Sequence, residues 1–135
     1  MNNPSRDKIK EILDESKTIA VIGLSPNPNR TSFMVSEAMQ KAGYRIIPVN
    51  PQADEILGEK SYASLSEIPH PVDIVNVFRR SEFLKGIAEE FVKMDCPVFW
   101  TQLNVVDEEV FNQLTDAGYT VIMDRCIKVE HAILK

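Results

Sequence analysis

"VIGLSPNPNRTS", residues 21–32, is the stretch on which the fold turns. It starts as a buried apolar strand, passes Gly23, and enters a turn that leads into a helical pattern. A dinucleotide-binding turn would read G-x-G-x-x-G. Here the second glycine position is Ser25 and the third is Pro28, and the turn closes on Arg30, Thr31 and Ser32. The strand, turn and helix are thus retained, while the glycines that let a backbone approach a pyrophosphate are replaced by polar side chains.

Outward from this turn, four more short apolar runs resemble "TIAVIG" (18–23): "YRIIPVN" (44–50), "VDIVNVF" (72–78), "PVFWT" (97–101) and "YTVIMD" (119–124). Runs of this length and composition fit strands covered on both faces. Between them lie stripes at helical spacing. Met34, Val35, Ala38, Met39 and Ala42 precede Gly43; Leu84, Ile87, Ala88 and Phe91 precede "MDCP"; Val110, Phe111, Leu114 and Ala117 precede Gly118. Alternating strands and helices predict an α/β fold with a parallel sheet and right-handed crossovers. The connection "ADEILGEKSYASLSEIPHP" is less regular, with a short strand expected near Tyr62 and a helical turn at "SLSEIP". A helix from about 5 to 16 capped by Ser5, and another from about 125 to 133, complete the elements. The 135 residues read as a single domain, 1–135, without repeat or linker.

The formal net charge of −5 opposes nonspecific attraction to nucleic acid or to an anionic membrane, so a positive site must be local. No stretch has the length of a signal peptide's apolar core or of a membrane span. Cys96 and Cys126 form no C-x-x-C pair and suit a reducing compartment, which places the chain in the cytoplasm.

In an open doubly wound sheet, ligands bind beyond the carboxyl ends of the strands where strand order reverses. The loops there are "GLSPNPNRTS", "VNPQ", "FRRSE" and "TQLN". Helix starts provide an internal comparison, because acidic side chains normally complement the free N–H groups there. The helix after the third strand opens "SEF", the next "VDEEV" and the first of all "SRD", but the helix after the first strand opens "NRTSFMVS" and meets no acid before Glu37. An external phosphate would complete that start, with Arg30, Thr31 and Ser32 as further donors. The competing reading is a helix simply capped by Thr31 or Ser32, with Arg30 solvated.

A nicotinamide cofactor is disfavoured. The acid that would hold its ribose about 20 residues past the turn is replaced by Asn50 and Pro51. Of Arg79 and Arg80, one is expected to pair with Glu82 while the other faces ligand. Asn76 reads as a satisfied buried polar group, Trp100 as core or interface, Gln102 as lining the site, Asp124 as a cap of the last helix and His70 as exposed. Cys126 lacks an identifiable base, so no catalytic residue and no metal site are assigned.

With those loops in view, the chain resembles the small single-domain CoA-binding proteins related to the CoA-binding domain of the succinyl-CoA synthetase alpha subunit. The matching stretches are "VIGLSPNPNRTS", "GYRIIPVNP", "ILGEKSYASLSEIP", "VDIVNVFRRSE", "FWTQLNVV" and "GYTVIMDRCIKVEH", in the family's order from about residue 18 to 131. The resemblance implies a Rossmann-like three-layer α/β/α fold, with a five-stranded mainly parallel sheet, that binds coenzyme A or an acyl-CoA. It implies that Gly23, Ser25, Arg30, Thr31 and Ser32 hold phosphates. Asn50 and Pro51 would flank the adenine end, and Phe78, Arg79 and Arg80 would follow the pantetheine or phosphate path. Two positions depart from the family pattern: Gln52 stands where lysine is common after "VNP", and Asn104 stands where "WxQxG" has glycine, a place asparagine can fill if the backbone is left-handed.

The function expected is a CoA-binding module without chemistry of its own, which carries, senses or presents the ligand to a partner. A subunit of an acyl-CoA ligase and an NAD(P)-binding redox protein are the alternatives. The partner is not legible from the residues, and a homodimer remains open.

Overall fold

The computed structural model describes all residues from Met1 to Lys135. Helix α1 (Arg6–Glu15) opens on Ser5, whose Oγ accepts from the Lys8 amide at 3.2 Å. Strand β1 (Thr18–Ile22) leads through the turn to α2 (Thr31–Lys41) and then β2 (Arg45–Val49). A two-residue hairpin follows, β3 (Glu55–Ile56) and β4 (Glu59–Lys60), then a 3-10 turn at Leu65–Glu67. Strand β5 (Ile74–Val77) is followed by a 3-10 turn at Ser81–Phe83 that runs into α3 (Leu84–Phe91). Strand β6 (Val98–Thr101), α4 (Glu108–Asp116), β7 (Thr120–Ile122) and α5 (Ile127–Leu134) complete the chain. The short strand expected near Tyr62 is a single parallel bridge to Val49, next to the hairpin.

The five main strands are all parallel, in the order β2-β1-β5-β6-β7. Strand order therefore reverses between β1 and β5, the switch point at which such sheets leave a crevice. The fold is Rossmann-like α/β. Successive strand residues point to opposite faces, and the core divides accordingly. Ala20, Ile22, Val75, Val77 and Phe99 pack on one side with α3 and α4 residues such as Phe91 and Leu114. Ile19, Val21, Ile74, Val98 and Trp100 pack on the other with Ile9, Leu13, Val35, Met39 and Ile127 of α1, α2 and α5. Trp100 has no exposed surface, and its Nε1 donates to the Arg125 carbonyl at 2.8 Å, so it is core. Truncating a buried aromatic of this kind costs about 3–5 kcal/mol.

Asn76 is buried as expected but not satisfied: on β5 between Val21 and Trp100, its Oδ1 has no hydrogen-bond partner. His70 is half-buried rather than exposed, because the loop folds its Nε2 to 3.4 Å from the Tyr62 hydroxyl. At the β7 edge, the Asn3 carboxamide acts as a peptide group: Nδ2 donates to the Met123 carbonyl at 2.8 Å and Oδ1 accepts from the Met123 amide at 2.9 Å. No helix is long and apolar enough to cross a membrane.

Candidate functional site

Three strand ends converge on Gly23. Its amide donates to the Val49 carbonyl at 3.1 Å, and the Phe78 amide donates to the Ile22 carbonyl at 2.8 Å, so the loops after β1, β2 and β5 leave the sheet together. Gly23 has φ +81°, and a Cβ built there would collide with the Phe78 carbonyl oxygen and press on the Arg79 side chain. Only glycine serves at this point.

Beyond Gly23 the turn is shaped by side chains. The Ser25 amide donates to Ser32 Oγ at 3.0 Å, the Asn27 amide to Ser25 Oγ at 3.1 Å, and the Asn29 amide to Asn27 Oδ1 at 2.9 Å. Local bonds of this kind fix a turn without glycine. Ser32 is thereby buried behind the turn, whereas Arg30 and Thr31 are exposed at its front. Neither Thr31 nor Ser32 caps the helix: Arg30 is the N-cap residue, and no side chain bonds to the free amides. Every other α-helix has a side-chain cap or an acid in its opening turn, counting Glu82 in the 3-10 turn that leads into α3.

A cleft of about 440 Å³ opens where β1 and β2 end. Of the residues singled out from sequence, Gly23, Asn50, Pro51 and Arg79 line it. Ser25, Arg30, Thr31, Ser32, Phe78, Arg80 and Gln102 do not, although all lie on the loops at this edge of the sheet or, for Thr31 and Ser32, in the first turn of α2. Arg80 pairs with Glu82 at 3.1 Å, while Arg79 reaches the cleft with its guanidinium stacked 4.2 Å from the centre of the Phe83 ring. Asn50 stitches loops together: Nδ2 donates to the Leu24 carbonyl at 2.9 Å and Oδ1 accepts from the Gln52 amide at 2.9 Å. Phe78 is half-buried against the α1/α2/α5 side of the core. Gln102 continues the sheet, its amide donating to the Val77 carbonyl at 3.2 Å, and its Oε1 is buried without a partner.

Sequence reasoning missed Ser64, Leu65, Ile87 and Glu90, which form the far wall of the cleft. Ile87 was visible only as one residue of an apolar stripe, and Glu90 follows it by three positions, on the same helix face. The departures from the family pattern resolve differently. Asn104 has φ +67°, the left-handed backbone a glycine would take, and its amide donates to Asp124 Oδ1 at 2.6 Å. Asp124 is therefore occupied with Asn104 and does not cap α5, which starts on Cys126. Gln52 lines the cleft without a charge to offer.

Both cysteines, Cys96 and Cys126, are buried, and burial pushes the Cys96 thiol up to about 12, which keeps it protonated at neutral pH. No three His, Cys, Asp or Glu side chains gather in a way that could hold a metal ion.

A parallel sheet with its switch point at Gly23, and a cleft opening there, are the features of a Rossmann-like α/β protein. Residues 17–132 match the model of the CoA binding domain. The chain belongs to that CoA-binding domain family. Over all 135 residues it is 63% identical to the uncharacterized protein YneT of Bacillus subtilis (strain 168), and it covers 100% of that protein. It is 35% identical over 68 residues to the alpha subunit of the ADP-forming acetate–CoA ligase II of Pyrococcus furiosus, a match that takes in 50% of this chain and only 15% of the ligase subunit. Among solved structures, cell-free ID.343 of Thermus thermophilus superposes with a TM-score of 0.94 at 35% identity, over 98% of this chain and 100% of that one.

Proposed function

We propose that this chain is a single-domain, cytoplasmic module that binds coenzyme A or an acyl-CoA without chemistry of its own, and carries, senses or presents it to a partner. The observation that carries this reading is the start of α2, which has neither an acid nor a side-chain cap and is fronted by Arg30 and Thr31. Backbone N–H groups at such a start favour a phosphate. In this reading Gly23, Ser25, Arg30, Thr31 and Ser32 form the phosphate-binding turn, Ser32 by holding the turn's shape. Asn50 and Pro51 flank the adenine end, Phe78, Arg79 and Arg80 line the path of the pantetheine arm or a phosphate, and Gln102 closes the edge beside β5.

A thermal-shift titration with CoA, dephospho-CoA, acetyl-CoA, NAD and NADP tests it. Stabilisation by CoA and acetyl-CoA at concentrations well below millimolar is the expected result; no shift from CoA near millimolar would overturn the reading. A second reading, the CoA-binding subunit of an acyl-CoA ligase, is favoured by the likeness to the acetate–CoA ligase alpha subunit. Turnover of ATP, CoA and a carboxylic acid by the isolated chain would replace the first reading with an enzymatic one.

A further inference from the structure

We infer that Glu90 makes the cleft selective for a 6-aminopurine, by accepting a hydrogen bond from the exocyclic amine of the adenine ring. The inference rests on the CoA reading above and adds the group that reads the base.

Glu90 is the only carboxylate among the residues that line the cleft, and Arg79 is the only cation. One carboxylate oxygen is engaged: Oε1 accepts from the amide of Ser66, in the 3-10 turn, at 3.1 Å. Its other oxygen has no partner, and no lysine or arginine forms an ion pair with it. An unpaired carboxylate repels phosphate, so the phosphates belong at the Arg79 end and at the β1 turn, and the group beside Glu90 is one that brings a hydrogen-bond donor, as an exocyclic amine does. The apolar part of the same lining comes from Ile22, Val49, Ala63, Leu65 and Ile87. A flat ring with an amine at its edge fits such a slot, whereas a 6-oxo base would set its carbonyl against the carboxylate.

The test is calorimetric binding of CoA and of its deaminated, hypoxanthine-containing analogue to the wild-type chain and to Glu90→Gln, with AMP and IMP as a second pair. Wild type is expected to prefer the amino base by about tenfold to a hundredfold, the range of one hydrogen bond to a charged group. In Glu90→Gln the preference should collapse or reverse, because an amide oxygen that still accepts from Ser66 leaves Nε2, a donor, facing the base. Equal wild-type affinity for both bases would overturn the inference and leave CoA binding standing; so would an unchanged preference in a folded Glu90→Gln. That base comparison in the wild type needs no variant, so it decides even if Glu90→Gln misfolds. A preference for AMP over IMP with no binding of CoA would overturn the CoA reading and keep the aminopurine slot. Binding of none of the four ligands would overturn both.

Discussion

Helices α2 and α4 both begin at the carboxyl edge of the same sheet, yet their first turns are built in opposite ways. Asp107 caps α4, its Oδ1 accepting from the Val110 amide at 3.1 Å, and Glu108 and Glu109 add negative charge in the opening turn. One of these acids is itself engaged, Glu109 lying 3.2 Å from Lys85 of α3. The start of α2 has none of this, and Arg30 makes no ion pair. One helix start is finished by the chain itself, and under the function proposed above a phosphate finishes the other. Stability and ligand binding should therefore separate cleanly between the two.

The most direct way to break that contrast is Thr31→Glu, which gives α2 the acid that α4 already has. CoA affinity should fall by about a hundredfold or more from charge repulsion, while the melting temperature holds or rises, since an acid at a helix start is worth about 0.3–1 kcal/mol. Calorimetry beside thermal melting reads both, and tight CoA binding by this variant would remove the start of α2 from the site. Arg30→Ala should weaken CoA by about tenfold with an unchanged melting temperature, because an exposed arginine contributes charge-assisted bonds to the ligand and little to the core. Asp107→Ala is the mirror experiment. It should cost about 1 kcal/mol of stability in chemical denaturation, the usual value of a lost cap, and leave CoA affinity where it was.

Much of this architecture was legible because both faces of the sheet are buried: strands such as Ile19–Ile22 and Ile74–Val77 then read as nearly unbroken apolar runs. The β3–β4 hairpin was not. Its turn is Leu57–Gly58, both with positive φ (55° and 75°), and leucine gives no local signal for such a backbone. It is held by long-range contacts: Leu57 packs against the core, and its carbonyl accepts from Gln40 Nε2 at 3.0 Å. At the site, the turn and the arginines could be read from residue type and position. What could not be read was whether a polar side chain was already occupied. Ser32 and Asn50 look like free ligand donors in sequence and are largely engaged in the fold. Glu90 failed in the reverse direction. It looks like one more solvated helix acid, and the cleft around it exists only because a turn 24 residues earlier closes over it.

The edge of the sheet at β7 carries a chemical safeguard. Asn3 makes two opposed bonds to Met123, and they depend on the side chain being an amide; hydrolysis to an acid would turn its donor into a second acceptor facing a carbonyl. Asparagines age in this way when the next backbone nitrogen attacks the side chain to form a cyclic imide. The residue after Asn3 is Pro4, whose ring nitrogen carries no hydrogen and cannot complete that attack. The contact that blunts this edge is thus placed where the commonest chemical lesion of its own residue type is blocked.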